Sequence, residues 1–164
     1  MSASQEDVLI RNANADDILG MLEVYYDVEK RSDSPPMDGF DGEEMLDQLR
    51  HWIQNPQLAI CLVSEFQERI TGFVVCLLKS TKLATLEIFV TDPRYRKDFR
   101  KSGKTRHSGE HLFRSICEQS RSKGIESLNT LINLRHYDFR RQTRFLLYRG
   151  FEKTNDYKEF EYEL

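Results

Sequence analysis

The residues with the clearest chemical bias lie close together. Arg94, Arg96, Lys97, Arg100, Lys101, Lys104 and Arg106 share one short stretch with a single acid, Asp98, and with Gly103 and Gly109 nearby. Fixed positive charge beside backbone amides that glycine leaves uncrowded suits a polyanion, phosphate above all. The alternative is a solvated basic loop that binds nothing in particular. Just upstream, Glu87 interrupts the apolar run from Leu86 to Val90. Buried there, its carboxylate would accept a proton directly or through a water; turned out by strand alternation, it would face solvent or an arginine. His107 and His111 stand four apart, as on one helix face, but no third ligand accompanies them and no metal is expected.

These groups need elements to hold them. Leu83 to Val90 is β-branched and aromatic, and Asp92-Pro93 stops it, so it reads as a strand. Ser108 is a good N-cap, Glu110 places negative charge in a first turn, and Leu112, Phe113, Ile116 and Cys117 form an apolar stripe ended by Lys123-Gly124. The basic stretch therefore joins a strand to the amino end of a helix, where free N–H groups favour anions.

Around this unit the chain opens with a short strand, Val8 to Asn12, and a helix capped by Asn14 with Ile18, Leu22 and Tyr25 on one face. A loop rich in turn formers, Arg31 to Phe40, leads to a second amphipathic helix carrying Met45, Leu49 and Trp52. Leu58 to Phe66, Arg69 to Leu78 and the Leu83 strand form a three-strand meander. After the central helix come a buried strand, Ser127 to Leu134, a helix capped by Asp138 and ending at Arg149-Gly150, and two closing strands around an Asn155-Asp156 turn.

Composition bounds the answer. At 164 residues, 39% hydrophobic and 31% charged, the chain reads as a single domain, 1–164, with an ordinary core. It contains no membrane-spanning run, and its first residues lack the basic start and apolar core of a signal peptide, so the expected location is cytoplasmic. Cys61, Cys76 and Cys117 are odd in number, far apart and set among apolar residues, as reduced core thiols are. A formal charge of -3 argues against bulk nucleic-acid binding, because the positive charge is confined to one stretch. Gly103-Lys-Thr105 matches the end of a nucleotide-binding P-loop, but Asp98 stands where the leading glycine belongs.

The element order, together with Ile70-Thr-Gly-Phe-Val74, the run Leu86 to Arg96 and the pair Gly150-Phe151, resembles the GNAT superfamily of N-acetyltransferases over nearly the whole chain. The resemblance implies an α/β (α+β) fold: a mixed, mostly antiparallel sheet of six to seven strands flanked by about four helices. It implies acetyl-CoA as co-substrate, no metal, and an amine of a small molecule or protein as acceptor; a homodimer is one assembly it leaves open. The family's cofactor loop puts its Arg/Gln position on Lys104, its first glycine on His107 and its last on Gly109. An alternative frame starts at Arg100 and uses Gly103. With Arg106, Ser108 and Glu110, these residues are the implied phosphate contacts, while Phe89, Val90, Thr91 and Asn133 are implied to meet the thioester and pantetheine arm.

Acetyl transfer to an amine needs the amine deprotonated and the departing thiolate protonated or stabilised. Glu87 is the candidate base. The family's frequent acid, a tyrosine four residues before the glycine of Gly-Phe, falls on Leu146; Tyr148 can replace it only if the helix end is rewound, since two residues turn a side chain to nearly the opposite side. Two other readings compete. One is a catalytically inactive CoA-binding module of the same fold, and the other a nucleic-acid contact through residues 94–106 with Tyr95 and Phe99 stacking.

Overall fold

The computed structural model describes residues 8–29, 42–92, 108–131, 139–153 and 159–164. The expected loop at residues 31–40, the candidate contacts Lys104, Arg106, His107 and Asn133, the Asp138 cap and the Asn155-Asp156 turn lie outside them. Seven strands form one sheet: β1 (Leu9–Asn12), β2 (Ala59–Phe66), β3 (Arg69–Leu78), β4 (Leu83–Thr91), β5 (Ser127–Leu131), β6 (Glu152–Lys153) and β7 (Glu159–Glu163). Their spatial order is β1-β2-β3-β4-β5-β7-β6. Every pairing is antiparallel except β4 with β5, which is parallel. The helices are α1 (Ile18–Glu29), α2 (Gly42–Gln54), α3 (Ser108–Ser122) and α4 (Phe139–Tyr148), with a short 3-10 turn at Ala15–Asp17. The mixed sheet with four helices is the architecture expected from the sequence.

The two faces of the sheet bury separate cores. Leu62, Val74, Leu86 and Leu128 meet Leu112, Ile116 and Leu146 of α3 and α4 on one face. Val63, Phe73, Val75 and Ile88 meet Met21, Met45 and Trp52 of α1 and α2 on the other. Strands sandwiched this way must be apolar on both sides, which is why β2 and β3 read as nearly unbroken hydrophobic runs.

Helix ends follow local chemistry. Asn14 accepts from the Asp16 N–H through its side chain, and the Asp17 carboxylate accepts from the Asn14 N–H at 2.8 Å, a reciprocal cap. Both α3 and α4 end in Schellman motifs. Gly124 and Gly150 take φ of +82° and +96°, and the amides of Ile125 and Phe151 donate back to Ser120 and Leu146 carbonyls at 3.0 Å.

Two bulges reset the alternation of the strands. Ser64 pairs with Gly72 and Glu65 with Ile70, which leaves Thr71 as an extra residue in β3. Val75 pairs with Ile88 and Cys76 with Leu86, so Glu87 is the extra residue in β4. Each bulge shifts the parity of the residues beyond it. Ala84 and Leu86 face α3, but Ile88 and Val90 face α1 and α2, and Phe89 is returned to the α3 side.

Candidate active site

The parallel seam between β4 and β5 is short. Among the described residues it pairs Leu83 with Ser127 through Leu86 with Thr130, and β4 continues to Thr91. Side chains fasten the last of these pairs: the Thr130 hydroxyl donates to the Leu86 carbonyl at 3.0 Å, and the Thr85 hydroxyl donates to Asn129 Oδ1 at 2.6 Å. Beyond it, among the described residues, Glu87 to Val90 have β3 on one side and no strand partner on the other. Unpaired strand edges are templates for any ligand that carries amides.

The amino end of α3 stands over this end of β4. A Cβ placed on Gly109 would lie 3.6 Å from Thr91 Cγ2 and 3.8 Å from Phe89 Cε1, so the helix start and the end of β4 are in contact. Close approach here also depends on Gly72, where a Cβ would come within 2.8 Å of the Val90 carbonyl oxygen and 3.0 Å of Ser64 Oγ. The expectation that Ser108 is the N-cap is corrected. Ser108 is the first helical residue, fully buried, and its hydroxyl is bonded to Thr71 Oγ1 at 2.8 Å.

Phe89, Val90, Thr91, Ser108 and Gly109 thus come together at one end of the sheet. Glu110 sits in the first turn of α3, but its carboxylate pairs with Arg149 at 3.0 Å and, more distantly, with Arg114 at 3.8 Å. Glu87 is exposed, so the buried carboxylate considered from sequence is corrected to the solvated alternative. The bulge explains it: the extra residue needs no place in either core, and a charged one is tolerated there. Tyr148 is 83% exposed, whereas Leu146 is buried. The regular Schellman end of α4 is the opposite of the rewound end that Tyr148 needs, and the phenol instead lines an outer groove with Arg114, Arg121 and Tyr162. The Arg149 guanidinium lies 5.6 Å from its ring centroid.

Sequence reasoning missed an aromatic bridge between α4 and the end of β4. Phe145 of α4 lies 5.5 Å from Phe89 and 6.1 Å from Phe113, centroid to centroid. The signal was available only as an aromatic on the inner stripe of α4. A second groove, about 850 Å³, runs along α1 to the end of β4 and is lined by more carboxylates than cations, Asp16, Asp27, Glu68 and Asp92 among them. In its wall Arg11 is clamped by Asp17 at 2.7 Å and by Glu65 at 3.0 Å. Burial pushes the Asp17 carboxyl up, but the Arg11 hydrogen bonds and charge and the Asn14 N–H outweigh it and hold it below the usual range. The three thiols are buried, and burial disfavours their thiolates, pushing Cys61 and Cys76 up to about 12 and Cys117 to about 11. No group of metal-ligating side chains is found among the described residues.

The sequence matches no family model and no curated protein. Solved structures do match. The PaiA N-acetyltransferase of Thermoplasma acidophilum, in complex with coenzyme A, superposes with a TM-score of 0.74 at 17% identity, over 96% of this chain and 99% of that one. A GNAT-family acetyltransferase of Staphylococcus aureus Mu50 gives 0.74 at 14% identity over 96% and 99%. The chain has the GNAT fold. N-acetylglutamate synthase from Neisseria gonorrhoeae, complexed with coenzyme A and N-acetyl-glutamate, gives 0.68 at 15% identity over 99% of this chain and 36% of that one. In the GNAT fold of this chain, the end of β4 and the start of α3 flank the basic stretch that the sequence analysis reads as a phosphate site.

Proposed function

We propose that the protein is an acetyl-CoA-dependent N-acetyltransferase acting on an amine of a small molecule or protein. The observation that carries the reading is the contact of the amino end of α3, at Gly109, with Phe89 and Thr91 at the end of β4, beyond the described β4–β5 pairing. The amides of the pantetheine arm would pair with the edge of β4 as a short added strand beside Phe89, Val90 and Thr91. The pyrophosphate would meet the first turn of α3 at Ser108, Gly109 and Glu110, with Lys104, Arg106 and His107 supplying charge and Asn133 meeting the arm. Acyltransferases with this fold that were crystallised with coenzyme A support the reading.

The chemistry asks little of side chains. The amine nitrogen attacks the thioester carbonyl, the C–S bond breaks as the tetrahedral adduct collapses, and the products are an amide and the free thiol of CoA. One proton must leave the nitrogen and one must reach the sulfur. Glu87, solvated on β4, would take the first through a water, and water would deliver the second. Held geometry supplies the rest.

Titration with acetyl-CoA tests the reading. A rise in melting temperature that saturates with acetyl-CoA, and appears also with desulfo-CoA, is expected because only the folded state binds. Release of CoA thiol that requires an added amine would then establish transfer. Absence of any shift at millimolar acetyl-CoA would sink the proposal. The exposure of Tyr148 and the buried leucine at position 146 favour a second reading, a CoA-binding module without turnover. It predicts the thermal shift with no thiol release against any amine.

A further inference from the structure

One residue holds both ends of the chain segment that runs from β4 to α3. Thr71 is the extra residue of the β3 bulge. Its carbonyl accepts the Asp92 N–H at 2.7 Å, just past the end of β4. Its hydroxyl lies 2.8 Å from Ser108 Oγ, the first residue of α3, 2.9 Å from Ser64 Oγ and 3.3 Å from the Ser64 carbonyl oxygen. Ser64, Thr71 and Ser108 are all fully buried.

A threonine hydroxyl has one proton and two acceptor positions. With the proton given to the Ser64 carbonyl, both serine hydroxyls must donate to Thr71, which is then saturated. The Ser108 hydroxyl is thereby tied to the β3 bulge, and the first residue of α3 with it. We infer that Thr71 is a positioning residue for the cofactor: it staples Asp92 and Ser108 to one bulge and so fixes the spacing between the β4 edge and the amino end of α3. The inference rests on the acetyl-CoA reading. Thr71 is buried and touches no ligand, so its effect travels through Ser108 and Asp92.

Thr71→Val keeps the shape and removes the hydroxyl, leaving two buried serines short of a partner; Thr71→Ser keeps the hydroxyl. In Thr71→Val the KM and Kd for acetyl-CoA should rise about tenfold with kcat changed less than about twofold, and Thr71→Ser should stay near wild type. Adding Ser108→Ala to Thr71→Val should weaken binding no further, since the two act through one bond. A folded Thr71→Val that binds acetyl-CoA as tightly as wild type overturns the inference. Amide exchange without ligand gives the independent arm: Leu112 to Ser115, the first amides bonded within α3, should exchange faster in Thr71→Val and not in Thr71→Ser. Unchanged exchange overturns the staple whatever CoA does. If wild type binds no acetyl-CoA, the functional reading fails while exchange still decides the role of Thr71. Should Thr71→Val not fold, Ser108→Ala applies the same two measurements from the other end of the bond.

Discussion

At the scale of single residues, Glu87 and Tyr148 separate catalysis from binding. Glu87→Gln preserves the bulge and removes the proton acceptor, so turnover should drop roughly 10²-fold at neutral pH with acetyl-CoA affinity unchanged. The deficit should shrink toward alkaline pH, where the amine is already neutral. Equal rates for variant and wild type across that range would reduce Glu87 to the polar residue of a bulge. Tyr148→Phe should leave turnover within about twofold, because the phenol lies on the outer side of α4; a loss of tenfold or more would mean that α4 ends differently when cofactor is bound. Asp17 carries the acid limb of stability. Its folded-state pKa is depressed, so its contribution is complete above the unfolded carboxylate value of about 3.9 and is lost as pH falls below that, through the folded value. Asp17→Asn should cost about 1–3 kcal/mol at neutral pH and flatten the fall in melting temperature below pH 4; an unaltered acid limb would move the titrating group elsewhere.

At the scale of elements, the glycines at the site are separable by what surrounds them. Gly109 has room for a methyl at ordinary contact distance, so Gly109→Ala should stabilise α3 by up to about 1 kcal/mol while weakening acetyl-CoA binding, the methyl standing where the pyrophosphate approaches. Gly72 has no such room, since the nearest atom is a backbone carbonyl oxygen that cannot swing away. Gly72→Ala should lower both the melting temperature and acetyl-CoA affinity, and a neutral result would mean that β4 yields locally. The contrast also shows what sequence could disclose. The meander, the Asn14 cap and the Lys123-Gly124 and Arg149-Gly150 helix ends were legible, because they rest on local turn and cap chemistry. The bulges at Thr71 and Glu87 were not. Leu83 to Val90 reads as continuous alternation, and only the partner strand reveals that Leu86 and Ile88 face opposite cores. Thr71 and Ser108 are 37 positions apart and ordinary in type, so their bond had no local signature.

At the scale of the whole molecule, the sheet is two antiparallel units joined along one seam. β1 and the β2–β4 meander form one unit, covered on one face by α1 and α2; β5 to β7 form the other side with α4, and α3 connects β4 to β5. The outer groove by Tyr148 and the acidic groove along α1 lie on different faces, so ligands there would not compete for space. No helix among the described residues is long and apolar enough to cross a membrane. The fold was legible as an order of elements; the register of β5 against β4 was not, because it pairs residues 44 apart in sequence.

That four-residue seam has a kinetic consequence. Its paired residues are 44 apart in sequence, whereas the hairpin β2–β3 closes through two residues, Gln67 and Glu68. Contacts between distant residues carry the larger loop-closure cost and tend to form late, after the meander has condensed. A ligand lying along the β4 edge and against α3 would bridge the two units only once both exist. Acetyl-CoA should therefore slow unfolding in stopped-flow denaturant jumps while leaving the refolding rate nearly unchanged. If it accelerates refolding instead, the seam belongs to the folding nucleus, and the cleft is the first part of the molecule to be made.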